Sequence, residues 1–142
     1  MFEYKDDRIF LLSIEEYEKY RDKIPQNNCW WWLRSPGLHF DGAADVRSAG
    51  SVNFYGNLVS NDDAVRPALY FSSTSYDPSD KFIYCGVTWV VLDKNLAIAE
   101  VPITFNRFDE NDNNYETSEV RQLLLEWYMY RKNFKEVLAE AE

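Results

Sequence analysis

The chain has 142 residues, with 46% hydrophobic residues and a net charge of −9, enough apolar content for one globular core. With 15 Lys and Arg against 24 Asp and Glu, it lacks the clustered basic charge that a phosphate backbone or an anionic bilayer requires, so direct nucleic-acid binding and membrane docking are excluded. Five Pro, five Gly and 17% aromatics exclude collagen-like and disordered classes. No apolar run approaches the roughly 20 residues of a membrane helix. The charged opening MFEYKDDRIF has no apolar signal-peptide stretch, so a cytoplasmic protein is expected.

In chain order, Arg8–Leu12 reads as a short buried strand, and Ser13 with Glu16 three residues on is a capping box that opens a helix. Pro25 and the polar run 26–28 end it. Cys29–Leu33 is an aromatic strand and Ser35-Pro36-Gly37 a turn. Ser51–Tyr55 alternates, and Gly56-Asn57 reads as a hairpin turn before Leu58-Val59. Val65–Phe71 is strand-like, with Pro67 demanding an edge or a bulge. Residues 72–80, SSTSYDPSD, have linker composition. Lys81–Tyr84, Val87–Asp93 and Leu96–Glu100 form an expected meander, with a turn at Asp93-Lys94-Asn95. After a polar loop over 107–116, a helix starts near Thr117 or Ser118. Val120, Leu123, Leu124, Trp127, Arg131, Phe134 and Leu138 form its apolar stripe, with a break near Lys132-Asn133. The expectation is one α+β domain over 1–142, with two helices and about seven short strands, divided as 1–71, a linker at 72–80, and 81–142.

Phe10-Leu11-Leu12-Ser13, Trp31-Trp32-Leu33-Arg34-Ser35-Pro36-Gly37 and Val65-Arg66-Pro67-Ala68-Leu69 together resemble an uncharacterised domain family of bacteria and their phages. Ala64 stands where that family usually has Gly. The resemblance implies a fold similar to the C-type lectin-like and formylglycine-generating-enzyme-like folds. In the second half, Trp89-Val90-Val91-Leu92-Asp93 is similar to the family's opening strand, and Tyr115–Leu124 to its first helix. That order is exchanged, which implies a circular permutation about the 72–80 linker. Trp31, Trp32, Arg34, Ser35, Arg66, Trp89 and Arg121 are then scaffold residues, and Trp31, Trp89 and Trp127 are expected to share one buried neighbourhood.

Arg34 and Arg66 carry the most pointed polar chemistry. Each can hold an anion, but inside apolar runs they are expected to bind backbone carbonyls or Asp45. Trp30, Trp31 and Trp32 cannot share one face of a strand, so one is expected to be exposed. The acidic run from Asp109 fails as a calcium loop, because Asn114 takes the required Gly position and Val120 that of the bidentate Glu. It suits the start of the following helix instead. His39 is the sole histidine, and two cysteines, Cys29 and Cys85, make neither a disulfide framework nor a zinc site. They are expected to be buried free thiols, with one disulfide as the alternative. No P-loop or dinucleotide fingerprint occurs. The expectation is therefore a non-enzymatic chain with no cofactor, no metal and no catalytic residue.

The expected function is a binding module that recognises a protein partner through loops 37–49, 57–64 and 106–116, as a monomer or a swapped dimer. The expected contact residues are Tyr55, Asp62, Asp63, Asp109, Glu110 and Asp112. The alternative is a phage-encoded inhibitor of a host defence complex, of anti-CRISPR type. Its carboxylates would imitate phosphates toward a basic nucleic-acid-binding protein. Carboxylates gathered on one face favour mimicry, whereas an exposed aromatic patch favours general protein recognition.

Overall fold

Ser13 does what its sequence context predicts. In the computed structural model, which describes residues 7–72, 75–132 and the backbone of 139–140, its Oγ accepts the N–H of Glu16 and the Glu16 carboxylate accepts the N–H of Ser13. This capping box opens α1 (Ile14–Tyr20), which buries Tyr17 and follows the two-residue strand β1 (Ile9–Phe10). A single 3₁₀ turn, Arg21–Lys23, ends the helix.

Nine further strands and a second helix follow: β2 (Trp31–Pro36), β3 (Gly42–Val46), β4 (Val52–Leu58), β5 (Asp62–Val65), β6 (Ala68–Tyr70), β7 (Lys81–Tyr84), β8 (Val87–Asp93), β9 (Leu96–Ala99), β10 (Thr104–Arg107) and α2 (Glu119–Arg131). The last strand is β11 (Ala139–Glu140). They build two sheets, in the orders β1-β6-β9-β8-β7-β11 and β10-β5-β2-β3-β4. The class is α+β as expected, but the strands exceed the expected seven. Pieces of two to four residues are too short to leave an alternating pattern in the sequence.

Both halves of the chain enter both sheets. In the first, β6 pairs antiparallel with β9, Ala68 opposite Ile98; in the second, β10 pairs antiparallel with β5, Phe105 opposite Ala64. The second helix also crosses back: Arg121 grips the Asp7 carboxylate with two bonds of 2.9 and 3.1 Å. Ser118 caps α2 through the N–H of Arg121, and Val120 and Leu124 are its buried residues, with Leu123 and Trp127 partly buried. Arg131 stacks 5.0 Å from Trp127, while Phe134 and Leu138 lie outside the described residues. Trp31 and Trp89 are buried in the same core against which Trp127 packs. No helix among the described residues is long and apolar enough to cross a membrane.

Two local expectations change. Gly56-Asn57 is no hairpin turn: β4 runs straight through it and bulges where its register against β3 shifts between Ala43 and Asp45. Gly56 has φ +98, and a Cβ there would sit 3.1 Å from both the N and O of Ala43, so the position needs glycine for the bulge itself. Val65–Phe71 is not one strand either. The chain leaves one sheet after Val65 and enters the other at Ala68, so Pro67 occupies the crossing point, where its missing N–H costs no ladder bond.

Candidate functional site

The scaffold residues spend their polar groups inside the molecule. Arg34 donates to the Leu11 carbonyl at 2.7 Å and holds both Glu16 oxygens at 2.7 and 3.1 Å. Ser35 Oγ accepts the N–H of Ile14 at 2.9 Å. Together they fasten β2 to the start of α1. Arg66 is buried and donates to the carbonyls of Ala99 and Glu100 at 2.8 and 2.9 Å, with its guanidinium 5.1 Å from the Trp31 ring. Burial lowers its pKa to about 10, so it remains cationic at neutral pH. Its partners are backbone carbonyls and not Asp45, whose two oxygens have no hydrogen-bond partner among the described residues. Trp31 and Trp32 are buried, Trp31 edge-on to Tyr17 and Trp32 to Phe108, whereas Trp30 is exposed. The Trp89 indole donates to the Tyr84 carbonyl. Cys29 is half-buried, Cys85 is buried, and no disulfide joins them.

The expected acidic contact residues do not act as one set. Asp109 Oδ2 accepts the N–H groups of Asn111 and Asp112, and its Oδ1 accepts that of Glu119 at the start of α2. Burial alone would raise its pKa, but these backbone donors outweigh it and hold the carboxyl below the ordinary range. Asp112 Oδ1 accepts the N–H of Asn114. These two carboxylates shape the loop and brace the helix. Asp62 and Glu110 face solvent. Asp63 is only 6% exposed, so its expected place on an acidic outer face is corrected. It lies on β5 with its carboxyl within hydrogen-bond reach of Asp45 and of the Asn57 amide. Burial, and then the hydrogen bond and charge of Asp45, push its pKa up to about 8.

What faces outward instead is apolar. Leu38, Phe40, Phe54, Tyr55 and Leu58 are each more than half exposed, Phe40 and Tyr55 at 71%. Backbone hydrogen bonding brings their two segments together. The N–H of Leu38 donates to the Tyr55 carbonyl at 2.9 Å, Gly42 pairs with Leu58, and the N–H of Val59 donates to the Asp41 carbonyl. The 37–41 loop, which joins β2 to β3, therefore continues the β3 side of β4 and fills the gap left by its bulge. Gly37 permits this approach, since a Cβ on it would come within 2.3 Å of the Tyr55 carbonyl oxygen. Of these five residues the sequence reading found Tyr55 alone. The available signal was Leu38 and Phe40 in a short loop, two large apolar residues where polar ones are usual.

Several backbone groups in and around β4 are already taken. The Tyr55 carbonyl takes Leu38, the N–H of Gly56 takes Asn53 Oδ1, and the Val52 carbonyl takes Arg47. A second concavity, an open groove of about 940 Å³ along α2, is lined by Leu123, Trp127 and Tyr130 with Glu119, Arg121 and Glu126. Glu119 is committed to Arg107 and Arg121 to Asp7, so these polar groups serve the fold.

Residues 17–73 match a domain of unknown function (DUF6273). The match includes β2 to β6, with the WWLRSPG and VRPAL segments, and covers less than half of the chain. No curated protein and no solved structure matches the chain.

Proposed function

We propose that the protein is a non-enzymatic binding module that recognises a protein partner through the apolar patch on β4 and the 37–41 loop. The observation that carries this reading is the number of large apolar residues exposed on β4 and the adjoining loop: Leu38, Phe40, Phe54, Tyr55 and Leu58 are each more than half exposed. Aromatic anchors of this kind dominate protein–protein contacts, because they bury large area at little entropic cost. The rival reading, a phosphate-mimicking inhibitor of a host defence complex, is less favoured because Asp63 is buried and Asp109 and Asp112 cap backbone N–H groups.

The double variant Phe40→Ser/Tyr55→Ser separates the two. Both side chains face water, so the melting temperature is expected to stay within about 2 °C of the parent, in line with surface substitutions of under about 0.5 kcal/mol. A protein captured from bacterial lysate by the parent, at low and high salt, is expected to be lost from the variant. Equal capture by both, or retention of a nuclease complex at low salt only, refutes the patch and favours acidic mimicry.

We further infer a C-type lectin-like fold with permuted connectivity and a soluble, cytoplasmic setting. The pairing of β6 with β9 and the grip of Arg121 on Asp7 support the permutation, because the second half completes elements begun by the first. A rearranged chain starting at Lys81, with residue 142 joined to residue 1 and ending at Ser72, is expected to fold with the same circular-dichroism spectrum. Loss of cooperative unfolding in that chain refutes the permuted reading.

A further inference from the structure

We propose that Asp45 and Asp63 form a proton-operated latch: one proton shared by the two carboxyl groups ties β3 to β5 across the intervening β2, and its loss loosens that end of the sheet. Asp45 is wholly buried and neither of its oxygens has a hydrogen-bond partner; Asp63 Oδ2 is also buried without one. Two ionised carboxylates in contact, away from water, repel strongly, and a shared proton turns that repulsion into a hydrogen bond. The proton joins two of the three otherwise unpartnered buried oxygens, one as donor and the other as acceptor.

Apart from the Asn57 amide, which reaches Asp63 and favours its ionised form, the described surroundings supply no donor to the pair. Facing Asp63 are the Asp45 carboxylate from β3, the Asn57 amide from β4, Asp62 on its own strand and the Cys29 thiol before β2. Across the ladder on β10, Asn106 spends its amide N–H groups on the Arg107 carbonyl and Glu119. The guanidinium groups nearby in sequence are engaged elsewhere: Arg47 with Ser51, Val52 and Asn53, Arg66 with Ala99 and Glu100, Arg107 with Glu119. Among the described residues no group of three His, Cys, Asp or Glu side chains could hold a metal ion. The pair therefore fits a proton.

The sign follows from where the proton sits. The unfolded chain loses it near the ordinary carboxylate pKa of about 4, while folded Asp63 keeps it up to about 8. Between those values the native state binds one proton more, so stability declines as pH rises and levels off beyond the upper value. The unfolding constant is expected to rise about tenfold per pH unit across that window.

Two measurements on the whole chain test this. In a carbon-13 NMR titration of the aspartate carboxyl groups, one buried aspartate is expected to change state above pH 7. In urea unfolding from pH 5 to 9, Asp63→Asn, whose amide is a permanent donor to Asp45, is expected to lack the tenfold slope. The latch is refuted if every aspartate titrates below pH 5 or if D63N keeps the parent's slope. A calcium-dependent rise in melting temperature that D63N abolishes also refutes it, because the pair would then hold a metal ion. Should D63N fail to fold, the titration of the parent chain decides alone.

Discussion

Replacing Arg66 by alanine is expected to destabilise the protein by about 3–5 kcal/mol, the range for emptying a large, buried, hydrogen-bonded position. Arg66 follows the last residue of β5 and precedes the proline at which the chain changes sheets. Its Nε and Nη2 tie that junction to the carbonyls of Ala99 and Glu100 at the end of β9. Alanine leaves a cavity beside Trp31 and two carbonyls without their donors. Methionine keeps most of the volume and removes a buried charge that has no carboxylate partner in contact among the described residues, so Arg66→Met is expected to cost about 1–3 kcal/mol, the penalty for stranded acceptors. Urea unfolding of both variants is the check. Equal losses would mean that packing is irrelevant at this position, and losses under about 0.5 kcal/mol would mean that the junction does not depend on the guanidinium at all.

Arg66 also shows what a sequence discloses and what it withholds. Its apolar neighbours Val65, Ala68 and Leu69 announce burial, and a buried guanidinium must be spent on something. The choice between carbonyls and Asp45 depends on β9, some thirty residues away, and no local pattern encodes it. The same division separates the elements. Ser13 with Glu16 and Ser118 with α2 were legible because a cap is satisfied within three residues. Gly56 misled for the complementary reason. A glycine before asparagine suits a turn, yet here it serves a bulge whose demand comes from Ala43 on the neighbouring strand.

The candidate site follows this rule on a larger scale. Asp62 and Asp63 are adjacent and chemically identical in the sequence, but strand alternation sends one to solvent and the other against Asp45. Tyr55 was legible as an aromatic near a turn. Its companions Leu38 and Phe40 join it only because the 37–41 loop hydrogen-bonds along β4. The domain match from 17 to 73 carries all five patch residues and both latch residues, whereas β7 to β10, which complete both sheets, and α2 lie outside it.

That completion can be measured at Trp32. Its ring is fully buried on β2, edge-on to Phe108 with centroids 5.4 Å apart, and its indole N–H donates to the Asn106 carbonyl at 2.9 Å. Both partners belong to the second half of the chain. Trp32→Ala is expected to cost about 3–5 kcal/mol through the cavity and the lost bond. Trp32→Phe, which restores an aromatic ring but no donor, should lose about 1–2 kcal/mol from the unsatisfied carbonyl and the smaller ring. Trp30→Ala, two residues earlier on an exposed side chain, should change stability by less than about 0.5 kcal/mol. Hydrogen exchange adds the structural readout. In Trp32→Ala, amides of β10 should exchange faster than those of β8, because β10 rests on the strand system that Trp32 anchors and β8 belongs to the other sheet. If Trp32→Ala behaves like Trp30→Ala, or if exchange rises in residues 31–65 alone, residues 104–108 do not share an interior with the first half.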